Sequence, residues 1–212
     1  MTSALTLVSL PIFPLHTVLF PGGSLPLRVF EPRYRMMVRC CREQGAPFGV
    51  VTLLSGSEVQ SSEAAPERFH PVGTLAHIDT ITALHSGLEL IQCTGKDRFR
   101  TTASRQLSSG LWVADVDILS NDAAIAIPSD LEHAATALRH VMHSLAQPHL
   151  EQATESQFTD CSWVANRWCE LFPLPELAQL RLLELNSPLL RLELITDALE
   201  GAGIVTPQHT KT

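Results

Sequence analysis

The stretch Leu25-Pro-Leu-Arg-Val-Phe-Glu-Pro-Arg-Tyr34 contains a change of periodicity, and the fold is read outward from it. Leu25–Phe30 is a short apolar run that reads as a strand. Pro32 then suits the first position of a helix, because its fixed φ is already helical and its missing N–H is not needed there. Beyond it Tyr34, Met37, Val38 and Cys41 recur at i, i+3, i+4 and i+7, which is a buried stripe at helical spacing. Gly45 is the stop signal, so the pattern predicts a helix over 32–44. Arg35, Arg39 and Arg42 fall on another face, and Glu31 is placed to pair with Arg35 one turn on.

Before this stretch, Leu7–Phe13 reads as a strand, separated from Leu25–Phe30 by the turn-rich Phe20-Pro-Gly-Gly-Ser24. After it, Phe48–Leu54 reads as a strand. The polar segment 55–71, with Glu58, Glu63 and Glu67, reads as a long loop of the kind that is mobile or functional. Val72–Leu84 and Leu88–Thr94 form a hairpin about His85-Ser-Gly87, with Gly95 and Arg98-Phe-Arg100 following. In Leu111–Leu119 the residues Trp112, Ala114, Val116 and Ile118 share one face, and Asp115 and Asp117 the other. The remainder is helical in texture. Ser129 and Glu132 have the capping-box spacing ahead of a helix to about Gln147, ended by Pro148. Helices follow over about Asp160–Phe172, Pro175–Leu185 and Pro188–Leu199, the last capped by Ser187 and stopped by Gly201 and Gly203. A strand-rich 1–120 with one short helix (32–44), followed by a helical 121–212, is an α+β organisation.

Composition narrows the function classes. The formal net charge of −7 is uneven: residues 1–120 carry ten basic and ten acidic side chains, and 121–212 carry five and twelve. The acidic second half repels phosphate backbones, which disfavours nucleic acid as a partner. No apolar run approaches the roughly 20 residues of a membrane helix, and the N-terminus lacks the basic region of a signal peptide. The five cysteines contain no C-x-x-C, so reduced thiols in the cytoplasm are the expectation. Cys40 and Cys41 should face different sides of their helix.

Catalytic signatures are missing. With only Lys96 and Lys211 in the chain, there is no P-loop, and neither G-x-G-x-x-G nor G-x-S-x-G occurs. His140 and His143 can share a helix face, but a zinc site needs further ligands, so a solvated face is the plainer reading. Cys161 and Cys169 flank Trp163 and Trp168 without a recognisable base, and read as buried small side chains. Asp115 and Asp117 read as the solvent face of a strand. No cofactor and no metal are expected. The five arginines from Arg28 to Arg42 form the one basic cluster; a solvated face with local ion pairs stands beside a partner-contact face.

Leu10-Pro-Ile-Phe-Pro-Leu15, Val18-Leu-Phe-Pro-Gly22 and Leu25–Tyr34 together resemble the opening of Lon protease N-terminal (substrate-recognition) domains. So do Val72-Gly-Thr-Leu-Ala76 and Gly95-Lys-Asp-Arg-Phe-Arg100; Leu182-Leu-Glu-Leu-Asn-Ser187 with Arg191-Leu192 resembles that family more weakly. The resemblance covers roughly residues 8–200. It implies a small PUA-like β-barrel followed by a helical bundle. It also implies a non-catalytic module that recognises unfolded or exposed apolar polypeptide segments, in protein quality control. Because the chain stops at Thr212, neither the ATPase nor the Ser–Lys peptidase is expected, and the domain is read as free-standing. A protease, a chaperone or a second copy of the chain are further partners that this reading leaves open. The alternatives are an RNA-binding PUA-like protein and a scaffold that only dimerises. Candidate contact residues are Pro14, His16, Phe20, Arg28, Glu31, Arg33 and Tyr34, where apolar and charged groups adjoin turns. Arg28, Glu31 and Arg33 read equally as a structural ion-pair cluster.

Overall fold

The computed structural model describes residues 5–58, 66–84, 87–145 and 153–206. The chain divides into two compact units between Asn121 and Asp122. Among the described residues it forms six strands and five α-helices, an α+β protein.

In the first unit the strands are β1 (Thr6–Leu15), β2 (Ser24–Val29), β3 (Phe48–Ser55), β4 (Arg68–Ala83), β5 (Glu89–Gln106) and β6 (Trp112–Ile118), with α1 (Pro32–Gln44) between β2 and β3. Their order is β2-β5-β4-β3-β1-β6, and β6 also pairs with β5. The last pairing closes β1, β3, β4, β5 and β6 into a barrel-like ring. One strand makes this possible. The first part of β5 is antiparallel to β2 (Leu25↔Cys93, Val29↔Glu89), and its last part is antiparallel to β6 (Phe99↔Ile118, Gln106↔Trp112).

Alternation then produces two cores on opposite faces of the sheet. Leu10 and Ile12 of β1, Val51, Leu75, Phe99, Ala114 and Val116 fill the ring. Phe13 and Leu15 of β1, Phe48, Val50, Ala76, Ile91 and Cys93 face the other way and bury Tyr34, Met37, Val38 and Cys41 of α1. Strand β3 is consequently buried on both faces from Phe48 to Leu53.

The α1 reading holds at both ends. Gly45 is left-handed (φ 60°), and its N–H reaches the carbonyls of Cys41 and Arg42. The expected Glu31–Arg35 pair does not form: Glu31 binds Arg33 at 3.0 Å, and Arg35 lies 3.7 Å from Glu89. Strand β4 starts at Arg68, so the polar loop is shorter than 55–71; its part 59–65, with Glu63, lies outside the described residues, as do His85 and Ser86 of the hairpin turn. Strand β5 runs on to Gln106 instead of ending at Thr94. An irregularity opposite Thr74–Ala76 takes up an extra residue between Gly95 and Arg98, and pairing with β6 holds the exposed polar end extended. On β6, Trp112, Ala114, Val116 and Ile118 do share the ring-facing side. Asp115 accepts the N–H of Ser9, a residue with φ 56° at a bulge in β1, and Asp117 accepts the Thr6 hydroxyl.

The second unit contains α2 (Glu132–Leu145), α3 (Cys161–Leu171), α4 (Glu176–Glu184) and α5 (Pro188–Gly201). The Ser129/Glu132 capping box does not form; Ser129–Leu131 is a 3-10 turn leading into α2 with no side-chain cap. Gln147 and Pro148 lie outside the described residues. Asp160 caps α3 by accepting from Trp163 N–H, and Ser187 caps α5 by accepting from Leu190 N–H. Cys161, Val164, Ala165, Trp168 and Cys169 make a buried helical stripe on α3. Arg191 is 1% exposed. Its guanidinium donates to Asp122, to Asn166 Oδ1 at 3.0 Å and to the carbonyls of Leu182 and Leu185.

Two predictions follow from this packing. A Cβ at position 73 would fall on the Val50 carbonyl and 2.8 Å from Phe99 Cζ, and backbone cannot yield. Gly73→Ala should therefore cost about 1–3 kcal/mol in urea unfolding. Arg191→Met leaves Asp122 buried without its counter-charge, and should lower stability by roughly 3–5 kcal/mol.

Candidate functional site

Arg33 and Tyr34 enter the first turn of α1 and are buried there, although one is charged and the other polar. Arg33 is held by five contacts. Its Nε meets Glu31 at 3.0 Å, Nη1 donates to the Gly110 carbonyl at 2.8 Å, and Nη2 donates to the Glu58 carbonyl at 3.5 Å. Nη2 also lies 3.5 Å from Glu67 Oε1, and the guanidinium sits 4.4 Å from the Tyr34 ring centroid. Glu67 in turn accepts from Trp112 Nε1, and Glu58 from the backbone N–H of His16. Residues flanking the 59–65 segment are thereby tied to α1, to β6 and to the β5–β6 turn. A buried charge requires such saturation, since unpaired it would be strongly destabilising.

Tyr34 stacks on Phe13 with ring centroids 3.9 Å apart. Burial pushes its phenol well above the usual tyrosine range, with Arg33 opposing the shift. Beside this stack lies a pocket of about 130 Å³ lined by Phe13 and Leu15 of β1, Pro26–Val29 of β2, Phe30, Glu31, Tyr34 and Glu58. Leu27 and Val29 pack toward the α1 core; Pro26, Arg28 and Phe30, at alternate positions, are exposed. Phe30 is 52% exposed at the pocket rim. Among the described residues Arg28 has no side-chain partner.

Of the seven candidate residues, Arg28, Glu31 and Tyr34 line this pocket. Arg33 lies behind Tyr34 as the structural member of the cluster. Pro14 is buried in β1 opposite Val51, and Phe20 is fully buried, so neither offers contact surface. His16 is exposed but is not among the pocket residues. The named candidates did not include Phe13, Leu15, Pro26, Leu27, Val29, Phe30 or Glu58. Strand alternation after Leu25 carried a signal for Leu27 and Val29; nothing local pointed to Glu58, brought in from the next loop.

Among the described residues no group of three His, Cys, Asp or Glu could hold a metal ion. His140 and His143 are exposed. Cys40 is exposed and Cys41 buried, as helix geometry required. Burial pushes the thiols of Cys41 and Cys161 up to about 11 and those of Cys93 and Cys169 to about 12. They are protonated near neutrality and are poor nucleophiles. The basic cluster is divided as well: Arg33 is buried, Arg35 pairs with Glu89, and Arg42 donates to the Asp79 carbonyl.

Comparison with known proteins places this geometry. Residues 9–201 match the family described as the ATP-dependent protease La (LON) substrate-binding domain. A Lon protease of Flavobacterium johnsoniae is 31% identical over 93 residues, 43% of this chain and 11% of that protein. Protein cereblon of Xenopus tropicalis is 24% identical over 159 residues, 73% of this chain and 33% of that protein. The chain thus spans a third or less of the length of these relatives. The crystal structure of a Lon N-terminal domain protein from Xanthomonas campestris superposes with a TM-score of 0.70 at 31% identity, covering 90% of this chain and 98% of that one. The N-terminal domain of a Mycobacterium avium complex Lon protease has the same fold, with a TM-score of 0.57 at 16% identity over 89% and 96% of the two chains.

Burial of the thiols has a direct readout. At pH 8 a disulfide reagent should titrate one thiol, Cys40, in the native protein, and all five only after unfolding. Rapid native reaction of two or more would contradict this packing.

Proposed function

The chain belongs to the family of the ATP-dependent protease La (LON) substrate-binding domain, and from that premise we propose that it is a non-catalytic module that binds exposed apolar segments of unfolded polypeptides, in protein quality control. The observation that carries the reading is the pocket beside β2. Its lining mixes apolar side chains (Phe13, Leu15, Leu27, Val29) with polar ones, its rim carries exposed Phe30, and its acids are already engaged, Glu31 by Arg33 and Glu58 by the His16 N–H. Such a surface offers burial to an apolar side chain. Polypeptide is favoured over RNA because Arg33 and Arg35 of the basic cluster are held in ion pairs and the second unit is acidic. Five free cysteines suit a reducing compartment, and we place the protein in the cytoplasm. No described helix is long and apolar enough to cross a membrane.

The test is fluorescence anisotropy with a labelled, reduced and carboxymethylated polypeptide that cannot fold, at low and high salt, with its folded parent as control. Saturable binding of the unfolded chain alone, little weakened by salt, is the expected result. No binding at micromolar concentrations would overturn the reading.

A further inference from the structure

Ring closure is incomplete at one end of the first unit. Strand β6 lies between β5 and β1, but reaches along β1 only to Ile12, opposite Trp112. Past that point Phe13, Pro14 and Leu15 have β3 on one side and, among the described residues, no strand on the other. Strand β2 likewise has β5 on one side and, among the described residues, no strand on the other. The pocket is lined by residues of both open strands, Phe13 and Leu15 from β1 and Pro26–Val29 from β2, so it lies where a further strand would stand.

We propose that this seam takes an extended polypeptide segment by strand addition along Leu27–Phe30 of β2. The inference rests on the polypeptide-binding reading above and assigns its site and mode. An edge strand presents unpaired N–H and C=O groups, which an extended chain about 4.8 Å away satisfies. Pro26 has no N–H to offer, so pairing of the added strand is favoured on the Phe30 side. The period of two then sorts the ligand's side chains. Those on the face of Leu27 and Val29 enter the pocket against Phe13, Leu15 and Tyr34; a volume of about 130 Å³ suits one ring or branched aliphatic group. Those on the other face lie beside Arg28 and Phe30. Arg28 is exposed and without a side-chain partner among the described residues, whereas Glu31 and Glu58 are engaged, so the rim is complementary to a carboxylate. The segment that fits is extended, apolar at alternate positions, and acidic at the position facing Arg28.

Amide hydrogen exchange by NMR on the full chain, with and without saturating reduced carboxymethylated polypeptide, tests this. Amides of β2 that do not pair with β5 should gain protection of at least roughly tenfold, since they become hydrogen-bonded in the complex. Phe30→Asp and Arg28→Glu, both at exposed positions, should each weaken binding roughly tenfold with unchanged thermal unfolding. Absence of new protection in β2, or wild-type affinity in both variants, overturns strand addition while leaving polypeptide binding standing. No binding by the wild-type chain overturns both.

Discussion

Phe99 can fill the ring of strands only because two facing positions carry no side chain. A Cβ on Gly49 would lie 2.7 Å from Phe99 Cζ and from Ile12 Cδ1, and one on Gly73 would lie 2.8 Å from Phe99 Cζ. Interiors are close-packed, so a ring this narrow holds one aromatic side chain or the extra methyls, not both. Closure around Phe99 brings β6 against both β1 and β5, and thereby removes most of the sheet edge that would otherwise invite aggregation. It also sets the length of β5, which must serve β2 at one end and β6 at the other. The bulge near Gly95 is the adjustment that lets a single strand do both.

Each unit is further organised by a buried arginine. Arg33 gathers Glu31, Glu67 and the carbonyls of Glu58 and Gly110; Arg191 gathers Asp122, Asn166 and the carbonyls of Leu182 and Leu185. A guanidinium suits this task because its five donors radiate in one plane and it stays charged when buried. Desolvation offsets much of the Coulombic gain, so such pairs add little net stability compared with a well-packed apolar core. Their effect is geometric: loop carbonyls that no helix or sheet would satisfy acquire one fixed arrangement. In the first unit that arrangement sets the wall of the pocket, since Glu31, Tyr34 and Glu58 line it and Arg33 touches all three.

The candidate site lies where closure stops. Phe13 and Leu15 leave β6 behind, β2 has one partner, and α1 buries Tyr34 under the gap. Among the described residues, apolar side chains, a strand with one partner and a rim cation therefore coincide at one place, as a consequence of the same strand lengths that close the ring elsewhere.

Local chemistry determined the elements. Pro32 and Gly45 bound α1, its stripe at Tyr34, Met37, Val38 and Cys41 is buried, Ser187 caps the last helix, and the alternation in β6 faces the ring as read. These signals act over one turn or one strand repeat, which is why a single sequence displays them. Tertiary structure alone decided what the elements meet. The polar run Thr101–Gln106 is a strand only because β6 supplies its hydrogen bonds, and the Ser129/Glu132 spacing made no cap because a 3-10 turn took its place. Glu31 chose Arg33 over Arg35 because Arg33 is drawn inward by Gly110, 77 residues away, and Arg35 outward by Glu89. The pocket has the same origin. Its floor joins β1 to β2 and its wall includes Glu58, and contacts between residues so far apart along the chain arise from closure of the fold, which no local pattern encodes.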